Sequence, residues 1–328
     1  MKILSATILS LCLLVGALAQ NSTAALTLDK TIPLPNVEGR IDHMAVDVAG
    51  QRLFMAALGN NTVEVLDLKA GKLIQSLPGF AEPQGIAYVP ESDRLFIANG
   101  SDGTCRILDG HSFKTLSKVA IGEDADNVRY DEAAKTIHIG YGDGALAAID
   151  AKTGAKVADI KLAGHPESFR LETGGARIFV NVPAAGHIAV VDRKKGTVTE
   201  TWPLKEDKSN FPMILDEASH CLFVGCRSPA KVLVYNSSSG HLETTIAIAR
   251  DTDDLFYDAR NKLLYVSCGG GSIEVIKQNG ADNYQKLATL PTAPGARTSL
   301  FIPELNLICL AVPHRGSQAA EIRVYKTQ

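Results

Sequence analysis

Arg94-Leu95-Phe96-Ile97-Ala98-Asn99-Gly100-Ser101-Asp102-Gly103-Thr104-Cys105-Arg106-Ile107-Leu108-Asp109 is the stretch on which the reading of this chain turns. It holds two short apolar runs joined by Asn, Gly, Ser and Asp, residues that favour tight turns through φ > 0 or side chain-to-backbone hydrogen bonds. Upstream, residues 85–89 read as a strand and Glu91-Ser92-Asp93 as a turn. Downstream, Asp109-Gly110-His111-Ser112 turns the chain into a further strand over residues 115–121. Four strands therefore follow one another. They are more continuously apolar than alternating, which indicates burial on both faces.

The same pattern recurs along the chain. Its central residues are Phe54, Phe96, His138, Phe179, Phe223, Tyr265 and Cys309, at spacings of 42, 42, 41, 44, 42 and 44 residues. Eight residues before each centre stands an apolar side chain: Val46, Tyr88, Tyr130, Leu171, Leu215, Tyr257 or Phe301. Two residues after it stands a small or short one: Ala56, Ala98, Gly140, Asn181, Gly225, Ser267 or Ala311. Four strands repeated at a period of 40–45 residues are the signature of a β-propeller blade. The recurring small position suits a wedge whose inner strands crowd toward an axis. The expected fold is all-β: a seven-bladed propeller with four-stranded blades. The last unit supplies only three strands, ending over residues 321–325, while residues 26–34 form a strand with no unit of their own. That strand is expected to complete the last blade and close the ring, hiding an otherwise open sheet edge.

Ahead of the repeats, Lys2 and a largely apolar run over residues 3–18, ending in Ala17-Leu18-Ala19, read as a cleaved secretory signal. The run falls short of the ~20 apolar residues that a membrane span needs, and no later run reaches that length. The expectation is a signal peptide over 1–19 and a single exported domain over 20–328, periplasmic or extracellular and monomeric. Loss of Lys2 leaves 32 basic against 36 acidic residues, too mild an imbalance and too scattered to indicate nucleic acid. Five cysteines follow the signal: Cys105, Cys221, Cys226, Cys268 and Cys309. All lie in strand-like apolar contexts without zinc spacing, so they read as buried hydrophobes. His138 stands in the Phe/Tyr/Cys column and reads as a core histidine.

The quoted stretch resembles the YVTN β-propeller repeat, which pairs a strand ending in Asn with a Gly/Ser/Asn turn and a strand ending in Asp. Asp67, Asp109, Asp150 and Asp192 hold that last position, Asn236 is a near match, and Lys277 departs from it. The resemblance runs from about residue 25 to the end. It implies an exported propeller without an assigned reaction, and it implies that the loops between second and third strands share a face with the loops entering the innermost strands.

If the ring closes, one repeat column faces that mouth. Twelve residues before the centres stand Asp42, Gln84, Asp126, Glu167, Phe211, Asp253 and Arg297. The next position adds His43, Asn127, Ser168, Asp254 and Thr298, and two residues before the column stand Glu82, Asp124, His165 and Asp251. The loops 99–103, 183–187, 227–231 and 313–318 would surround them, the last bringing His314. Asp42, His43, Gln84, Asp126, His165, Glu167, Asp253, Asp254, Arg297 and His314 are the candidate ligand-binding residues. A protein, a basic peptide segment or a polar small molecule would suit an acidic, His-containing site. Carboxylates with His also suit Ca²⁺ or Zn²⁺, for which Asp42, His43, Asp126, Glu167 and Asp253 are the candidate ligands. Asp and Asn at loop ends equally serve as turn formers. No catalytic residue is assigned, because no G-x-S-x-G, P-loop or H-E-x-x-H motif is present. Two readings follow: a binding or scaffold protein, and a metal-dependent hydrolase or lactonase that activates water at the mouth.

Overall fold

The computed structural model describes residues 26–328; the expected signal over 1–19 lies outside them. Twenty-eight strands, β1–β28 in chain order, form seven four-stranded antiparallel sheets, with two single-turn 3₁₀ segments between strands. The innermost strands of blades 1–7 are β2 (Met44–Asp47), β6 (Pro83–Val89), β10 (Val128–Asp131), β14 (Phe169–Leu171), β18 (Lys208–Asp216), β22 (Thr252–Asp258) and β26 (Ser299–Ile302). The quoted stretch folds as expected, with strands Arg94–Asn99 and Thr104–Asp109 in register from Arg94↔Asp109 to Asn99↔Thr104.

Blade 7 is assembled from both ends of the chain. Its order is β26, β27 (Leu307–Val312), β28 (Glu321–Thr327) and β1 (Leu26–Pro33), with β1 antiparallel to β28 from Leu26↔Thr327 to Pro33↔Glu321. The segment after β1 returns to blade 1, where Thr298 Oγ1 donates to the Ile41 carbonyl across the seam.

The repeat columns acquire physical causes. All seven central residues are buried, among them Phe54, Phe96, Phe179 and Phe223. They sit between blades in apolar clusters. The small position lies where the next blade's inner strand passes. A Cβ on Gly225 would stand 2.5 Å from Pro212 Cγ and 3.1 Å from Thr252 Cγ2 of blade 6, and one on Gly140 2.9 Å from Pro166 Cγ of blade 4. Asn181 uses the same closeness to donate to the carbonyls of Phe211 and Pro212, and Ser267 meets Ser299 at 2.7 Å. The strand-end Asp column caps turns. Asp67, Asp109, Asp150 and Asp192 each accept the backbone N–H three residues on, at 2.7, 2.7, 2.6 and 3.0 Å, as does Asn236.

On the opposite face, arginines tie three of the blades to the next. Arg52 donates to Gly110 O at 2.6 Å, Arg94 to Lys152 O at 2.6 Å and Arg177 to Ser237 O at 2.7 Å. Every outer strand carries a one-residue bulge, at Asp29, Ile74, Leu116, Val157, Thr199, Glu243 and Leu287. A bulge twists an exposed edge away from pairing with another chain. It also explains why Ile74, Leu116, Val157 and Leu287 are half-exposed apolar residues. The five cysteines among the described residues are free and buried. His138 is buried too, and burial lowers its pKa to about 4, so it is neutral in the core.

A chain starting at Leu34 should fold less stably, because Leu26 and Ile32 lose burial worth ~1.5–3 kcal/mol each. The expected result is a melting temperature lower by about 10 °C, read by circular dichroism, with oligomers on gel filtration as β28 becomes an open edge.

Candidate functional site

The inner strands and the turns that feed them meet around one cavity of ≈ 250 Å³ at the channel mouth. The entire column Asp42, Gln84, Asp126, Glu167, Phe211, Asp253 and Arg297 lines it. So do His43, Asn127, Ser168, Asp254 and Thr298 from the next position.

Backbone pairing explains this convergence. Asp42, Asp126 and Glu167 each donate their N–H to the carbonyl of the small residue on the second strand, Ala56, Gly140 and Asn181, at 2.8, 2.9 and 3.0 Å. Those small residues return N–H bonds to His43, Asn127 and Ser168. The ladder thus extends past the named strand and fixes which side chain points inward. In blades 2, 5 and 6 it slips instead, at Pro83/Ile86, Asn210/Met213 and Thr252/Asp254, and the bulge re-aims Gln84, Phe211 and Asp253. Gly85 lets blades 2 and 3 touch: a Cβ there would lie 2.0 Å from Asp126 O. The preceding column is largely turn-forming. Glu82, Asp124 and Asp251 all have left-handed φ, of 53°, 54° and 65°, and of these only Asp124 lines the cavity, with His165.

Six carboxylates line the cavity against three arginines and two histidines. Most are answered. Arg40 holds Asp42 at 2.6 Å. His43 Nε2 sits between Asp42 Oδ1 and Asp126 Oδ1, at 3.7 and 3.6 Å. Arg297 reaches Asp253 at 2.9 Å and Asp251 at 2.7 Å, and Arg227 also binds Asp253. His165 faces Asp124 at 3.4 Å and the Gly142 carbonyl at 2.7 Å, while Gln84 donates to Asp124 at 3.2 Å. Asp254 accepts the Ser299 N–H at 2.7 Å. Glu167 is the exception: its carboxylate has no hydrogen-bond partner among the described residues, nor does Asp126 Oδ1.

The electrostatics follow from that arrangement. Burial first, then the charges of Asp126 and Asp253, push Glu167 up to about 8. Burial likewise raises Asp254 to about 7. Burial opposes the charge on His43, but the Asp126 carboxylate 3.6 Å away and the charge of Asp42 outweigh it and hold its pKa at about 9. Asp42 is raised, chiefly by burial, and Asp126 is lowered because His43 overcomes its burial. The mouth gathers more acidic groups than its own cations answer, and near neutral pH Glu167 meets the excess by staying largely protonated.

Of the five candidate metal ligands, Asp42, His43 and Asp126 offer atoms that lie within 4.8 Å of one another. Asp253 is engaged by two arginines, and Glu167 lines the cavity outside that trio. His314 sits on the rim, paired with Glu38 at 2.7 Å and facing a neighbouring cavity. Arg40 and Arg227 are not among the candidate site residues. Arg40 shares the repeat position of Glu82, Asp124, His165 and Asp251, two residues before the column, and Arg227, at the start of the loop 227–231, lays its guanidinium over the Phe211 ring at 3.8 Å. That contact explains the one apolar member of the column.

The fold and its mouth define a seven-bladed β-propeller. Its solved likenesses are distant in sequence. A chain of the crystal structure of the mitotic checkpoint complex matches with a TM-score of 0.79 at 11% identity, covering 100% of this chain and 99% of that one. A chain of Kuenenia stuttgartiensis hydrazine synthase matches with 0.75 at 15%, covering 93% and 98%. No protein-family model and no curated protein matches the sequence.

Glu167→Gln tests the site's electrostatics. An acid whose folded pKa lies above its unfolded value destabilises the fold as pH rises from about 4.5 to about 8. Wild type should therefore lose stability across that window, and the variant should lose less. At pH 8.5 the variant should be the more stable by on the order of 1 kcal/mol, measured by urea unfolding at several pH values.

Proposed function

We propose that this protein is an exported, monomeric binding protein of the YVTN-repeat type, released to the periplasm or the extracellular space. Its channel mouth takes a positively charged polar group, an organic ammonium or guanidinium carried by a small molecule or by a basic peptide segment. The observation that carries this reading is Glu167, a carboxylate facing the cavity with no partner and with a raised proton affinity. A cation placed between Glu167 and Asp126 would supply the charge that the arginines give Asp253. The geometry suits a binding role because the other acids are already oriented by fixed partners, which lowers the ordering cost of recognition. No helix among the described residues is long and apolar enough to cross a membrane.

A second reading rests on a different observation, the convergence of Asp42, His43 and Asp126. Two carboxylates and an imidazole are a donor set that zinc accepts, at ~2.0–2.2 Å per ligand. The His43 Nε2 distances of 3.6 and 3.7 Å to the two oxygens would need only a small contraction around such an ion. A metal held there would activate water for lactone or ester hydrolysis.

Calorimetric titration with agmatine, spermidine and a Lys-Arg-Lys tripeptide separates the readings. Binding at pH 7.5 should release a fraction of a proton, seen as a dependence on buffer ionisation heat, and Glu167→Gln should abolish that release and weaken binding about tenfold. No binding by any of the three cations would reject the first reading. Stoichiometric Zn²⁺ uptake that disappears in His43→Ala/Asp126→Ala, with lactone hydrolysis dependent on it, would establish the second.

A further inference from the structure

Beneath the mouth the channel opens into a second cavity of ≈ 230 Å³, with His43 and Asp254 shared between the two. Five members of one repeat column, Ala87, Arg129, Arg170, Phe256 and Leu300, stand on its walls beside Met44, Ile86, Val128 and Tyr130. Nine residues before the blade centres stand Ala45, Ala87, Arg129, Arg170, Ile214, Phe256 and Leu300. Five positions of that column are apolar, and the two arginines fall on adjacent blades, on β10 and β14.

Neither guanidinium has a carboxylate within ion-pair distance among the described residues. Arg129 donates to the Val128 carbonyl at 2.8 Å and to Asn127 Oδ1 at 3.0 Å. Arg170 donates only to the Phe169 carbonyl, at 3.3 Å. The Nε of each is buried with no acceptor. Two other inward-facing arginines are matched by acids: Arg193 meets Asp131 at 2.7 Å and Arg177 meets Glu172. Arginine does not shed its charge as lysine can, and a charge held away from water without a counter-charge is costly. Burial and then the charge of Arg129 push Arg170 down to about 9, which shows how poorly the pair is compensated. Asp254, the one acid on the cavity wall, spends an oxygen on the Ser299 N–H at 2.7 Å.

We propose that the central channel is a binding site for a small organic carboxylate, whose oxygens accept the free N–H groups of Arg129 and Arg170 while its hydrocarbon body lies against Phe256 and Leu300. Two guanidinium forks side by side match the planar oxygens of a carboxylate. The apolar side chains on the wall, Met44, Ile86, Val128, Phe256 and Leu300, favour a ligand with a hydrocarbon part over a bare mineral anion. The two arginines that carry this site are not among the mouth's residues, and only His43 and Asp254 border both cavities.

The test uses the residue 20–328 chain at constant ionic strength, with sodium butyrate, sodium glutarate, inorganic phosphate and sodium chloride as probes. Butyrate or glutarate should bind saturably by calorimetry and raise the melting temperature, while chloride and phosphate do not. Arg129→Met/Arg170→Met should melt at or above the wild-type temperature without ligand, since it removes two unmatched charges, and should gain nothing from carboxylate. Arg170→Lys keeps the charge but loses the fork, and should bind at least tenfold more weakly; it carries the test if the double variant fails to fold. Absence of saturable carboxylate binding to wild type, equal binding of phosphate, or undiminished binding by Arg170→Lys would overturn the proposal.

Discussion

The antiparallel pairing of β1 with β28 is the constraint on which the rest of the molecule depends. Seven sheets of this size could stack in an open row, with the first and last faces exposed to water. Joining the two ends of the chain within one blade turns that row into a ring. Residues about 42 positions apart then become neighbours around one axis. The closed ring also forces the inner strands together, and this is why the position two residues after each blade centre must stay small. Where it is Gly, the next blade's Pro or Thr occupies the volume of the missing side chain; where it is Asn or Ser, the closeness becomes a hydrogen bond.

Closure also creates the electrostatics. A carboxylate at the start of one inner strand has an ordinary proton affinity in an isolated blade, where water surrounds it. Brought around an axis with several others, in a cavity that excludes most water, Asp42, Glu167 and Asp254 become harder to ionise, while His43 holds Asp126 ionised. The protein offsets part of this with Arg40, Arg227, Arg297 and His43, and leaves Glu167 unanswered. Deeper in the channel the sign reverses at Arg129 and Arg170. Along the axis the molecule is therefore acidic at its mouth and basic in its interior, with His43 and Asp254 at the boundary. A ring can arrange charge this way because each level of the channel draws on one position from every blade.

The structural neighbours share the ring and little else. At 11% and 15% identity they establish the architecture, and one architecture supports unrelated activities.

By itself the sequence determined the number of blades, the four strands of each, the strand that closes the ring and the column of residues that faces the mouth. All of these are periodic, and a period survives in one dimension. The turn-capping role of Asp67, Asp109, Asp150 and Asp192 was legible for the same reason, since an Asx turn is local. Only the tertiary structure decided how the mouth is charged. Arg227 and Arg40 lie off the column and reach it through side-chain length, and the bulges that aim Gln84 and Asp253 depend on strand register. That Glu167 has no partner, and that Arg129 and Arg170 have no carboxylate, depends on what every other blade does not place beside them. A missing partner leaves no mark on the sequence near the residue that lacks it, because the partner would have come from tens or hundreds of residues away.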